Sequence, residues 1–272
     1  MNKGARIYII RKYFISDNLK LSYLDNERDG KPVLLCLHGH FGCARYYAQL
    51  MEQLEDWHVY SIDQRGHGWS DHAEAGHYER SDYIGDILTF IDTVLSSQAV
   101  FILGHSLGGI NAYQVAARRN DLVRGLLIED VGAIEKDYAS FSPKIIDYAP
   151  TLKELGDSLK KFRIYDAKYF LECAEETERG WHYRFDKANL SESQKRLNGK
   201  WWNDFLASSC PALLMHGKKS WVVNQEHIEE MAMRRKNTEY VVFNKSSHTV
   251  NLDEPKLFFQ TVKRFLDKHR NE

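Results

Sequence analysis

Apolar residues recur in two alternating patterns along the first half of the chain. Val33-Leu34-Leu35-Cys36-Leu37, Val100-Phe101-Ile102-Leu103 and the stretch from Leu122 to Ile128 are short runs of strand length. Such runs suit strands buried on both faces. Trp57 to Ile62 reads as another strand, and Ile7 to Phe14 and Leu19 to Tyr23 read as a leading pair joined at Ser16-Asp17-Asn18. Between them Ala44 to Leu54 has a helical pattern. Arg80 to Leu95 is amphipathic, with Tyr83, Ile84, Ile87, Phe90, Ile91 and Val94 on one side. Buried strands alternating with helices predict a mostly parallel sheet with helices on both faces. In such sheets functional groups collect beyond the carboxyl ends of the strands. His38 to Gly42, Asp63 to Ser70, Ser106 and Asp130 all follow strands and are expected to converge on one edge.

The alternation stops near Ile134 and resumes at Pro211-Ala212-Leu213-Leu214-Met215-His216-Gly217. A helix near Gln225 to Arg235, a strand at Glu239 to Phe243 and a helix from Glu254 to Lys268 complete the chain. The intervening segment is helical in character, charged and rich in aromatic residues, among them Phe141, Phe162, Phe170, Trp181 and Trp201. Its aromatics outnumber what packing on a sheet face needs, and it directly follows a strand that ends in candidate chemistry. The reading is therefore a core in two parts, residues 1–133 and 210–272, with a helical cap at 134–209. A pair of ordinary outer helices is the competing reading.

Composition narrows the function classes. The chain has 272 residues, 43% of them hydrophobic, with a formal net charge of -1. That balance supports a folded core and offers no electrostatic footprint for nucleic acid or an anionic membrane. Cys36, Cys43, Cys173 and Cys210 lack the spacing of a zinc site or disulfide framework. No glycine-rich nucleotide loop and no histidine–carboxylate metal motif occurs, so no cofactor and no metal is expected. There is no secretory leader pattern and no apolar run of membrane-span length, so a cytoplasmic monomer or homodimer is expected.

The sharpest chemical feature is Gly104-His105-Ser106-Leu107-Gly108. It reads G-x-S-x-G, with an apolar run before it and good helix formers after it. That context places Ser106 on a tight strand-to-helix turn, where small neighbours admit a strained nucleophile and the helix start points N–H groups at a developing oxyanion. With His38-Gly39, Asp63-Gln64-Arg65-Gly66-His67-Gly68-Trp69-Ser70, the elbow and Ser247-His248 in this order, the chain resembles the α/β-hydrolases over nearly its whole length. The resemblance implies an eight-stranded, mostly parallel sheet with a cap, and a Ser–His–acid triad.

By that resemblance His248 is the base, in a region similar to the family's G-H-x-x-x-x-E-x-P with Ser247 where glycine is usual. The acid is open to more than one reading. The family's frequent position, after the strand ending at His216, holds Gly217-Lys218-Lys219-Ser220-Trp221 and no carboxylate. A smaller group of α/β-hydrolases carries the acid after the sixth strand and a serine after the seventh, which implies Asp130, with Glu129 and Glu226 as lesser competitors. The backbone N–H groups of Leu107 and His40 are the expected oxyanion donors, with Phe41 as a possible contributor. Phe41, His105, Trp181 and Trp221 are the expected pocket residues. His38 is expected to brace its loop, and Asp63 and Arg65 to shape a structural turn.

The function expected is hydrolysis of a small ester or thioester with an apolar portion. A ligand-sensing protein on the same fold, a lactonase, a C–C bond hydrolase and a cofactor-free perhydrolase or oxygenase remain alternatives.

Overall fold

The computed structural model describes residues 8–271. The leading strand pair is β1 (Ile10–Ser16) and β2 (Leu19–Asp25), antiparallel in register Ile10 with Asp25 through Ser16 with Leu19. The start expected for this first strand, Ile7, falls outside the described residues.

 β3 (Val33–Leu37), β4 (His58–Ile62), β5 (Val100–His105) and β6 (Val123–Glu129) follow. β3, β4 and β5 are buried at every position, as strands covered on both faces are. A short β7 (Ile134–Glu135) opens the intervening segment, which also holds β8 (Ala174–Thr177), β9 (Gly180–Tyr183) and β10 (Gly199–Lys200). β11 (Ala212–Gly217) and β12 (Thr238–Phe243) complete the strands.

The main sheet has eight strands in the order β1-β2-β4-β3-β5-β6-β11-β12. From β4 to β12 every pairing in it is parallel, and the β1–β2 hairpin joins antiparallel at β4. The strand order reverses direction between β3 and β5, so the loops after both strands open outward beside one crevice.

The first helices are α1 (Ala48–Gln53), preceded by a 3₁₀ turn at Ala44–Tyr47, then α2 (Arg80–Thr93) and α3 (Leu107–Arg118). The helical pattern of 44–54 is thus split, its first four residues winding more tightly. Beyond β6 come α4 (Leu152–Asp157), α5 (Lys168–Leu171), α6 (Leu190–Leu197) and α7 (Trp202–Ala207). Last are α8 (Gln225–Arg234), α9 (Val250–Asp253) and α10 (Pro255–His269). Two apolar clusters form the core, one on each face of the sheet. The first gathers Leu35, Ile102, Ile110, Tyr113 and Leu126, and the second Leu34, Trp57, Leu103, Leu127 and Phe258. Alternate residues of β3 and β5 thus feed opposite faces, the period-two geometry of a strand covered on both sides.

Segment 134–209 is less purely helical than its sequence pattern predicts. β7 pairs with β10, and β8 pairs with β9, as two small antiparallel ribbons. The β8–β9 ribbon turns at Glu178-Arg179, and Gly180, the first residue of β9, has φ +108°, a conformation that side-chain-bearing residues rarely adopt. The turn residues that permit it are polar, so periodicity alone did not mark the ribbon as strand.

Candidate active site

Strand β5 delivers Ser106 directly to the start of α3. Ser106 has φ 51° and ψ -117°, a sparsely populated conformation for a residue with a side chain. The surroundings hold it there. Its N–H donates to Glu129 O at 3.0 Å, and the N–H groups of Gly109 and Ile110 both return to Ser106 O. The turn also needs very close backbone approach. A Cβ on Gly104 would stand 2.1 Å from Gly108 O, and a Cβ on Gly108 would stand 2.1 Å from Leu37 O. Only glycine fits at either position, so the two glycines of the elbow set the contact between strand and helix.

Of the three candidate carboxylates, Asp130 is the one in contact with His248. His248 Nδ1 and Asp130 Oδ2 are 2.8 Å apart. Asp130 follows β6 with φ 51° and is fully buried. Its Oδ1 accepts from Gly217 N–H at 3.0 Å and lies 3.0 Å from His216 Nδ1, and its Oδ2 accepts from Ser220 Oγ at 2.5 Å. Ser220 therefore stands against the carboxylate from the loop after β11. Burial pushes the Asp130 carboxyl up, but hydrogen bonds from His216, His248 and Ser220 outweigh it and hold the group at about 2. Burial likewise pulls His248 down, and its bond to Asp130 and the charge there raise it above its ordinary value.

Glu129 and Glu226 take no part in this contact. Glu226 is exposed on α8. Glu129 takes other partners, accepting from Tyr46 Oη at 2.5 Å and from Asn251 N–H at 2.9 Å. Its burial pushes it up to about 7. It ties the helix that follows His248 to the core.

The loop after β3 carries His38 and His40. His38 Nε2 accepts from Gln64 N–H at 3.0 Å and its Nδ1 donates to Gly39 O at 2.7 Å, so the ring braces the loop. Leu107 occupies the first position of α3, where a backbone N–H has no intrahelical acceptor. Phe41 has φ 66°. A bulky residue in that region is an outlier, held here by rings of Phe141, Phe170 and Phe185, each 5.2 Å away. Asp63 accepts from Ala44 N at 2.7 Å and Trp69 N at 3.1 Å, and Arg65 makes a two-pronged ion pair with Asp86.

Ser106, His248, His40, Phe41, His105 and Trp221 line one cavity of about 650 Å³. Phe141, Phe162, Ile164, Tyr169 and Phe170 of segment 134–209 supply much of its wall. Trp181 does not line it. It lies in β9, where its backbone pairs with Ala149 at 2.8 Å in both directions, so the expectation that it forms the pocket is corrected. The aromatic count of the segment pointed to a pocket wall without saying which rings the ribbons would turn away. His105 Nε2 donates to His248 O at 3.0 Å, which seats the ring beneath the histidine loop.

Ser193 and Gln194 were not signalled by any motif, yet both reach the site. Each lies within hydrogen-bond distance of the His40 ring, at 2.8 Å and 2.9 Å. Only the approach of α6 to the β3 loop brings them there.

The sequence profile of the alpha/beta hydrolase family matches residues 34–261. The chain belongs to the alpha/beta hydrolase family. It is a hydrolase. A 2-(acetamidomethylene)succinate hydrolase from Mesorhizobium japonicum is 25% identical over 95% of this chain and 98% of its own length. An esterase of Mycobacterium tuberculosis is 26% identical over 87% of this chain and 83% of its own length. The crystal structure of an E-2-(acetamidomethylene)succinate hydrolase superposes with a TM-score of 0.84 at 23% identity, covering 96% of this chain and all of that one (100%). Among the described residues no helix is long and apolar enough to cross a membrane.

Proposed function

We propose that the protein hydrolyses a small ester or thioester through an acyl-enzyme on Ser106. The observation that carries this reading is the Asp130–His248 contact at 2.8 Å, in a cavity that Ser106 lines from a strained elbow. His248 takes the Ser106 proton as Oγ attacks the carbonyl carbon, and the carbonyl electrons move to oxygen. The N–H groups of Leu107 and His40 receive that oxyanion, each donor being worth about 10²–10³ in rate. His248 then gives its proton to the leaving oxygen or sulfur as the bond to the acyl carbon breaks. Water, deprotonated by the same ring, attacks the acyl-enzyme and releases the acid and Ser106. Asp130 stays ionised throughout and holds the imidazole in the tautomer that presents Nε2 to the serine.

The apolar wall supports a substrate with an apolar portion, and segment 134–209 acts as the cap that encloses it. The relative named as a 2-(acetamidomethylene)succinate hydrolase keeps acetamido-bearing carboxylates within the range to be tested. The test is turnover of p-nitrophenyl esters of increasing acyl length, beside the matching thioesters, with Ser106→Ala as control. Turnover that Ser106→Ala abolishes is expected. Tight ligand binding with no turnover of any acyl substrate would instead favour a sensing role.

A further inference from the structure

His40 is placed for its backbone N–H, yet its side chain is held more completely than a backbone donor requires. The residue is 7% exposed. Nε2 lies 2.8 Å from Ser193 Oγ and Nδ1 lies 2.9 Å from Gln194 Oε1. Both partners are consecutive residues of α6, in the segment inserted between the two parts of the core.

The hydrogen-bond roles can be worked out from their neighbours. Asn198 Oδ1 accepts from Asp137 N–H at 3.0 Å while its Nδ2 donates to Asp137 O at 2.9 Å, which fixes that amide. Gln194 Nε2 donates to Asn198 Oδ1 at 3.1 Å and to Glu135 Oε1 at 3.4 Å, so Gln194 Oε1 is the atom that faces His40. His40 Nδ1 must therefore carry the proton and Nε2 must accept from Ser193 Oγ. Ser193 in turn contacts Tyr83 Oη at 2.9 Å, and Tyr83 is fully buried on α2 in the core. Burial, with the charges of His67 and Arg80, pulls the His40 imidazole well below its ordinary value, so it stays neutral and keeps one donor and one acceptor. Every polar atom of the ring is then satisfied by the inserted segment.

We infer that the His40 side chain is a positioning residue, through which Ser193 and Gln194 of α6 hold the β3 loop so that its backbone N–H meets the oxyanion. The oxyanion hole is complete only when α6 is docked. A second set of contacts reaches the same loop from the other side. Phe170 stacks on Phe41 at 5.2 Å, Cys173 Sγ donates to Gly42 O at 3.4 Å, and Cys43 Sγ donates to Glu172 O at 3.2 Å. The loop is gripped between α5 and α6, and a donor displaced by even a fraction of an ångström loses much of its value in the transition state.

This inference rests on acyl transfer at Ser106, and the test separates the two. An alkyl trifluoromethyl ketone adds to a serine nucleophile, and its hemiketal oxygen occupies the oxyanion hole without turnover. Adduct formation by fluorine NMR and the inhibition constant are measured for the parent, Ser106→Ala, Gln194→Met, Ser193→Ala, His40→Asn and His40→Ala, beside kcat and KM on a p-nitrophenyl ester and binding of the product acid. Gln194→Met and Ser193→Ala are expected to weaken the ketone by about 10–100-fold and to lower kcat by the same factor, with KM and product binding within about twofold. His40→Asn, whose amide N–H can replace Nδ1 toward Gln194, is expected to retain more activity than His40→Ala. Ketone affinity and kcat equal to the parent in both α6 variants would overturn the inference, as would losses that move in step with KM and product binding. A parent that forms no Ser106 adduct would overturn the acyl-transfer reading itself. Ser193→Ala removes a single oxygen, so it serves where Gln194→Met fails to fold.

Discussion

At the scale of single residues the proposed chemistry turns on one carboxylate. Asp130 makes four polar contacts, with His216, Gly217, Ser220 and His248, and each favours its ionised form. Asp130→Asn keeps an oxygen for Gly217 but must place an N–H₂ toward one of the other partners. An amide facing His248 Nδ1 drives the imidazole into the tautomer that cannot take the serine proton. The expected result is a folded enzyme with kcat lowered by about 10⁴ on a p-nitrophenyl ester, against near-parental activity for Glu226→Gln. The reverse ranking would remove Asp130 from the proposed triad. Ser106 and Leu107 were legible in the sequence because a strand, a small-residue turn and a helix are local features, whereas His248 was reached through resemblance. The choice among Asp130, Glu129 and Glu226 rested on resemblance alone, because which of two adjacent side chains at the end of β6 meets a loop more than a hundred residues later is settled only by the sheet.

At the scale of elements the elbow is a matter of clearance. Gly108 sits so close to Leu37 O that any Cβ must push α3 away from β3. Gly108→Ala is expected to destabilise by about 1–3 kcal/mol in denaturant titration and to lower kcat, because the displaced strand leads into the loop that carries His38 and His40. Gly85→Ala is the control. It lies within α2 with open space where its Cβ would stand, and is expected to stabilise by roughly 0.5–1 kcal/mol. Equal effects at the two glycines would contradict the packing argument. The strands of the core were readable because apolar runs of this length have few other uses. The β7–β10 and β8–β9 ribbons were not, because their residues are mixed in polarity and their pairing partners are distant in sequence or set by one turn.

At the scale of the whole molecule the buried titratable groups set the dependence of stability on pH. Burial holds His38 at about 4 and pulls His40, His67 and His105 well below their ordinary value of 6.5. Below pH 6.5 the unfolded chain binds protons at these four positions that the folded chain refuses, so acidification favours unfolding. Glu129 and Glu135 act in the other direction. Burial raises both from 4.5 to about 7, so the folded state holds protons that the unfolded state has released, and their contribution falls as pH rises between those values. His248, raised above 6.5, contributes stability that is present below that value and lost above it. Four histidines outweigh two glutamates below 6.5, and above it only the opposing groups still titrate. The thermal midpoint is expected to peak near pH 6.5 and to fall on either side. A midpoint that climbs steadily from pH 6.5 down to pH 5 would show that these histidines are not buried neutral.

The sequence by itself determined the alternation of strand and helix and the elbow at Ser106, because each follows from local spacing and side-chain size, while His248 was reached through resemblance to the family. It also marked 134–209 as a departure from that alternation. The tertiary structure alone decided that Asp130 rather than Glu129 meets His248, that Ser220 and His216 stand against its carboxylate, that Trp181 turns away from the cavity, and that Ser193 and Gln194 close on His40. These are contacts between residues far apart in the chain. Their geometry comes from the order of strands in the sheet and the docking of α6 on the β3 loop, and neither leaves a periodic trace along the sequence.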